Sequence, residues 1–282
     1  YNSASTYKIR VLKIRQNKVK IDKRELILEN IIRAYLKQNE PVGSSVLCEH
    51  IIEQGNANIP ASTIRVYFKK LSDEGAITKL HISGGRIPTV LTMSYYWQEH
   101  LKFNEKIKVT NEELLSFLVY ELGIYCMIFA KKNPKFSAIK RISDKFLFLE
   151  FEDEALNIKF NAKVEKFLQN LLGISLDELE LASIQVGLSE LRVKIKELKR
   201  SNIFYQENEK IIFEIFKDER IKNALEPSFE RSFTNNLAFW IESAHMGLKT
   251  PILYKGENAV MICVGSVYND YEKFLNTLKE AS

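Results

Sequence analysis

Cysteine is scarce in this chain of 282 residues: there are three, and Cys48, Cys126 and Cys263 lie far apart. No pair has the spacing of a metal or redox motif, and an odd, scattered set suits a reducing cytosol better than a disulfide scaffold. Histidine is almost as sparse. His50, His81, His100 and His245 are dispersed, and His50 falls on an apolar helix face where a core role outweighs a chemical one. Long apolar runs are missing as well. The nearest, Leu114 to Ala130, is interrupted by Glu121 and Gly123 and falls short of the roughly 18 apolar residues that a membrane span requires. It reads as a buried helix leading into a strand. The N-terminus shows no apolar core followed by a small-residue cleavage site, which argues against a signal peptide, and because the chain does not begin with Met its true start stays open. The expectation is a cytoplasmic protein without stable membrane insertion.

Catalytic signatures are also lacking. There is no phosphate-binding loop, no dinucleotide fingerprint, no Gly-x-Ser-x-Gly elbow and no His-Glu-x-x-His. The run Glu150, Glu152, Asp153 and Glu154 could hold a divalent ion, but a solvated strand end or turn is the better reading. Active sites assemble from distant residues, so an enzyme is not excluded; it has no positive support. The expectation is a non-enzyme with no catalytic residues, no metal and no cofactor.

What is present is a core and an uneven charge. Hydrophobic residues make up 45% and charged residues 27%, the balance of a globular protein rather than a disordered one. The net charge is +5. Residues 1–102 hold 16 Lys/Arg against 9 Asp/Glu, while residues 103–282 hold 25 against 27. A basic first third on a slightly acidic remainder is expected when one domain meets a polyanion and the other does not.

Along the chain, residues 1–21 form a basic extension, either an arm on DNA or a frayed end. From Asp22, with Glu25 as a capping-box partner, apolar residues at helical spacing predict a helix that ends near Gln38-Asn39, ahead of Pro41. Gly43-Ser44 opens a second helix with Val46, Leu47, His50 and Ile51 inward. Residues 54–58 form a turn, and Pro60 leads a third helix that stops at Gly75. Strands over 77–82 and 87–89 flank a Ser83-Gly84-Gly85 turn. Three helices and a glycine-tipped hairpin are the order of a winged helix-turn-helix, assigned to residues 22–102. A further helix runs over 92–101.

Residues 103–282 mix helices and strands. Helices are expected at 111–122, 163–172, 176–181, 184–200, 233–245 and 270–279. Strands are expected at 124–130, 136–142, 145–151, 155–160, 252–254 and 259–264. This suggests an α+β sensor-like domain with a helical insertion.

On a helical wheel the third helix sends Ile64, Phe68 and Leu71 to one face, with Tyr67 beside them. Ser62, Arg65, Val66 and Lys69 share the other, with Thr63 and Lys70 on its flank. The outer row is short, polar and basic. Arg can bridge two acceptors of guanine, Ser and Thr can meet a base or a phosphate, and Val66 offers an apolar surface to a thymine methyl. On the wheel alone, a surface helix with merely solvated charges is the plainer reading. The hairpin tips the balance. Ser83-Gly84-Gly85-Arg86 is a turn able to approach a phosphate backbone, with Arg86 reaching a minor groove or phosphate. His81 either contacts phosphate or fills the hairpin edge. Ser44 is assigned two roles, helix cap and phosphate contact.

Glu40-Pro41-Val42-Gly43-Ser44, then Thr63-Ile64-Arg65, then Gly85-Arg86-Ile87-Pro88-Thr89 resemble, in order and spacing, the conserved segments of the HrcA family of bacterial heat-inducible repressors. The match is close over about residues 22–101. It departs at Val66-Tyr67, where the family usually carries Asn-Asp.

The resemblance implies a winged helix-turn-helix followed by a GAF-like α+β domain with an inserted helical dimerisation segment. It further implies a homodimer on an inverted-repeat operator of double-stranded DNA upstream of chaperone operons, and dependence on the GroE chaperonin. Ser44, Thr63, Arg65 and Arg86 carry over as DNA-reading positions, and Gly85 for wing geometry. Two other classes stay open: a regulator whose C-terminal domain binds a small molecule, and a protein-docking winged helix, against which the basic outer row argues.

Overall fold

The computed structural model describes residues 22–55, 59–79, 84–103 and 106–281. The chain divides into two units after Met93. The basic extension over residues 1–21 lies outside the described residues, as do His81 and Ser83.

The N-terminal unit begins with α1 (Lys23–Gln38), capped by the Asp22 carboxylate, which accepts from the Arg24 backbone N–H at 3.0 Å. It ends at Asn39, whose φ of 53° is the left-handed turn that closes a helix before Pro41. Next come α2 (Ser44–Glu53) and α3 (Ala61–Asp73). Ile27, Ile31, Leu47, Ile51, Ile64, Phe68 and Leu71 meet in one core with Ala76 and Ile77. Val46, expected on the inner face of its helix, is instead 40% exposed. Antiparallel strands β1 (Ile77–Lys79) and β2 (Arg86–Pro88) follow, with Thr78 opposite Ile87. Val42 adds a one-residue third rung through paired backbone hydrogen bonds with Arg86, both 2.8 Å.

Helix α4 (Val90–His100) leads into the second unit. Its buried Trp97 donates its indole N–H to the Val267 carbonyl at 2.7 Å and meets Tyr271 edge-on. The main sheet runs β3 (Ile107–Val109), β10 (His245–Tyr254), β11 (Glu257–Ser266), β4 (Tyr125–Ala130) and β8 (Ile203–Glu207), and β9 (Leu237–Trp240) also pairs with β10. Every residue of β4 is buried, as expected of a central strand covered on both faces. Tyr125, Met127 and Phe129 point into a core shared with Phe216, Phe229 and Phe233. Helix α5 (Glu112–Leu122) precedes β4, and a further helix, Tyr271–Glu280, follows β11.

Between β4 and β8 the chain inserts a second lobe. Strands β5 (Phe136–Ile142), β6 (Phe146–Phe151) and β7 (Ala155–Lys159) form a separate three-stranded antiparallel sheet. Helices α6 (Ala162–Gln169), α7 (Leu176–Gln185) and α8 (Ser189–Arg200) pack with it around Phe136, Leu147, Leu149, Leu179 and Ile195. The insertion is therefore α+β rather than helical, because the inward residues of β5–β7 serve that local core. Charge ties it to the segment between β8 and β9. Buried Glu180 of α7 meets Lys199 of α8 at 2.7 Å and Arg231 at 3.3 Å, and buried Glu226 meets Lys196 and Arg200, each at 2.9 Å.

The expected elements are corrected at several points in this unit. The helix expected over residues 233–245 is absent: Asn235 and Asn236 take φ of 51° and 69°, which no α-helix tolerates, and the chain extends into β9. Strand β10 starts at His245 rather than Ile252. In the strand the bare backbone of Gly247 faces Phe233, whose ring would lie 2.8 Å from an added Cβ. Strands β3 and β8 carry too few residues in alternation to be visible beforehand.

Candidate nucleic-acid interface

Helix α3 carries the site. Its inner row of Ile64, Phe68 and Leu71 is buried, which fixes the rotation of the helix. Ser62, Arg65, Lys69 and Lys70 are then exposed, Thr63 half-buried, and Val66 55% exposed. Among the described residues no carboxylate lies within ion-pair distance of Arg65, Lys69 or Lys70. The Lys70 ammonium rests 5.3 Å from the Tyr67 ring centre. Arg24 of α1 is tied instead to Glu74 beyond the end of α3, its Nε donating at 2.9 Å. Asp73, the last residue of α3, is exposed and makes no ion pair among the described residues.

The cap of α2 is Gly43, with no side-chain hydrogen bond to it, so Ser44 is not the cap that its position suggested. Ser44 is the first helical residue, and its hydroxyl faces α3: the Arg65 Nε–H donates to Ser44 Oγ at 3.2 Å. The structure therefore brings together two residues 21 positions apart that the sequence offered separately. The first turn of α2 keeps its backbone N–H groups without a side-chain acceptor, which leaves a partial positive charge available to an anion.

The hairpin approaches the same loop. Gly85 has no room for a side chain: an added Cβ would lie 2.5 Å from the Pro41 carbonyl carbon and oxygen, and 2.6 Å from that of Val42. Gly84 and Gly85 are half-buried. Arg86 starts the returning strand rather than standing at the tip. Its guanidinium lies 5.6 Å from the Phe68 ring centre, Nη1 donates to the Gly84 carbonyl at 3.4 Å, and burial lowers its pKa from the ordinary arginine value. Its buried Nε has no hydrogen-bond partner among the described residues. Sequence reasoning overlooked Lys79, exposed and directly opposite Arg86; a cation in the strand entering a glycine turn was the available signal. It also overlooked Val42 as a rung of the hairpin, for which one residue gives no pattern.

His50 is buried as expected, and its pKa is lowered by burial and by Lys37 and Arg33, against a smaller opposing effect of Glu53. Cys126 and Cys263, distant in sequence, face each other across β4 and β11 with sulfurs 3.8 Å apart; both are buried free thiols, and burial pushes the Cys126 thiol well up. Glu150 pairs with Lys140 at 2.6 Å, and Glu154 with Lys132 at 3.8 Å. A cleft of about 60 Å³ opens where Lys131, Asp177, Lys199, Glu230 and Arg231 converge, well under the ~300–1,000 Å³ of small-molecule sites. Its Lys199 and Arg231 are already engaged by Asp177, at 2.5 and 3.1 Å. Among the described residues no helix is long and apolar enough to cross a membrane.

The family model described as the HrcA C-terminal domain matches residues 97–282. The heat-inducible transcription repressor HrcA of Helicobacter pylori strain J99 is 29% identical over 92% of this chain and 96% of its own length. Its counterpart in strain 26695 is 27% identical over 96% and 99%. A crystal structure of a hypothetical protein at 2.2 Å aligns over 93% of this chain and 97% of that one, with 20% identity and a TM-score of 0.43, too low to argue from. With a family model covering more than half of its length and relatives matched nearly end to end, the chain belongs to the HrcA family.

Proposed function

We propose that the chain is a transcriptional repressor of heat-shock genes that binds an inverted-repeat operator as a homodimer, through a winged helix-turn-helix over residues 22–102. The observation that carries this reading is the outer face of α3: Ser62, Arg65, Val66, Lys69 and Lys70 stand clear of the core, with half-buried Thr63 on the flank, and their cations are in no ion pair among the described residues. Such a row in a major groove reads bases through Arg65 and Val66 and holds phosphates through Lys69 and Lys70. The open backbone N–H groups of the first turn of α2, from Ser44 on, meet a phosphate, and Gly84, Gly85 and Arg86 of the hairpin form the wing along the neighbouring backbone; His81 and Ser83, outside the described residues, are assigned to DNA contact from the sequence alone.

Residues 103–282 act as a GAF-like domain whose inserted segment holds two copies together. A two-fold dimer reads half-sites separated by whole helical turns, about 10.5 base pairs each. Dependence on the GroE chaperonin rests on membership of the family. The free thiols and the absence of a membrane-spanning helix among the described residues agree with a cytoplasmic site of action. A gel shift on chaperone-operon promoters at two salt concentrations, with and without chaperonin, tests the whole. Retarded operator DNA, tighter at low salt and stimulated by chaperonin, is expected; equal binding to scrambled DNA contradicts the assignment.

A further inference from the structure

We propose that Ser44 is a positioning residue for base reading: its hydroxyl holds the Arg65 guanidinium so that the two terminal nitrogens point away from the protein as a preset fork. The inference rests on the reading of α3 as the DNA-reading helix and adds to it a residue that acts through another.

Arg65 stands on the open face of α3, where a long side chain samples many rotamers. The bond to Ser44 Oγ, at 3.2 Å, is made through Nε. That choice of nitrogen matters. It holds the guanidinium at its base and leaves Nη1 and Nη2 for two acceptors in one plane, the geometry that guanine presents with O6 and N7. A fork already oriented loses less freedom on binding, and it loses it only for the partner that fits, so the gain falls on specificity.

The anchor is itself fixed from three sides. Gly43 accepts the Leu47 N–H at 2.9 Å, so the first turn of α2 is closed, and Leu47 is fully buried. Val42, two residues before Ser44, is locked to Arg86 by two backbone hydrogen bonds of 2.8 Å. Gly85 sits against Pro41 and Val42 with no space between. The loop between α1 and α2 therefore sets the hairpin with its backbone and the reading arginine with a side chain. A hydroxyl at the start of α2 is needed there for reach rather than for capping, since Gly43 supplies the cap.

The test compares wild-type full chain with Ser44→Ala, Ser44→Thr, Arg65→Ala and the Ser44→Ala/Arg65→Ala double variant. Equilibrium binding is measured on an operator duplex and on a scrambled duplex of equal length, with melting temperatures as a folding control. Loss of the hydroxyl is expected to weaken operator binding about tenfold while scrambled DNA changes by less than about twofold. Ser44→Thr should restore most of the difference, and the double variant should bind no worse than Arg65→Ala. Additive losses would mean that Ser44 meets DNA on its own, and equal losses on both duplexes would mean a plain phosphate contact; either overturns the proposal. Unchanged operator binding in Ser44→Ala, with Arg65→Ala impaired, overturns the proposal and leaves the reading of α3 standing. Unchanged binding in Arg65→Ala removes both.

Discussion

The two units use the same residue types in opposite ways. In the C-terminal unit cations are consumed internally: Lys196, Lys199, Arg200 and Arg231 close on Asp177, Glu180 and Glu226 where the inserted lobe meets the segment between β8 and β9. In the N-terminal unit Arg65, Lys69 and Lys70 share one exposed face with no carboxylate within ion-pair distance among the described residues, although Asp73 ends the same helix. A paired cation has already spent its Coulomb energy and has little left for a polyanion, whereas an unpaired one exchanges bound water and counterions for phosphate. Net charge alone does not separate these cases. Placement of the carboxylates does.

The comparison breaks most visibly at Lys199. Its removal as Lys199→Met strips Glu180, 3% exposed, of its closest partner. The C-terminal unit should lose stability toward the lower end of about 3–5 kcal/mol, because Arg231 still compensates in part. Urea unfolding measures this, and the salt dependence of DNA binding should stay as in wild type. A smaller loss is expected from Gly85→Ala. The added methyl has no space beside Pro41 and Val42, so the hairpin must shift, costing about 1–3 kcal/mol of N-terminal stability and most operator affinity in a gel shift.

Arg65→Ala should cost about 1–3 kcal/mol of operator binding and relax sequence preference. Lys70→Ala should weaken all duplexes alike and lower the slope of log K against log salt by about one. The smallest effect concerns pH. Burial holds His50 below its usual value, so the unfolded chain binds its proton more readily than the folded one. Stability is then fully present above the unfolded value, ~6.5, and declines as pH falls below it toward the folded value. His50→Gln should flatten that part of the stability–pH curve, and an unchanged curve would show that His50 does not contribute.

Much of the N-terminal unit was legible because its signals are local. Asp22, Asn39, Pro41, Pro60 and Gly75 bound helices in ways set by the backbone of a few residues, and the buried triplet Ile64, Phe68 and Leu71 fixes which face of α3 looks outward. The tie from Ser44 to Arg65 and the seat of Gly85 on Pro41 depend on tertiary approach, which no spacing encodes. The C-terminal unit was less legible for the same reason. Its β3 pairs with β10 from far along the chain, and β9 hides in a stretch whose apolar spacing fits a helix equally well. Cys126 and Cys263 met only once the register of β4 and β11 was known.

The salt slope of operator binding tests the central claim most directly, compared between wild type and the triple Arg65→Ala/Lys69→Ala/Lys70→Ala variant at matched folding. If the outer face of α3 faces phosphates and base edges, the slope of log K against log salt should fall by about two to three. An unchanged slope would show that these cations, though unpaired, do not meet DNA.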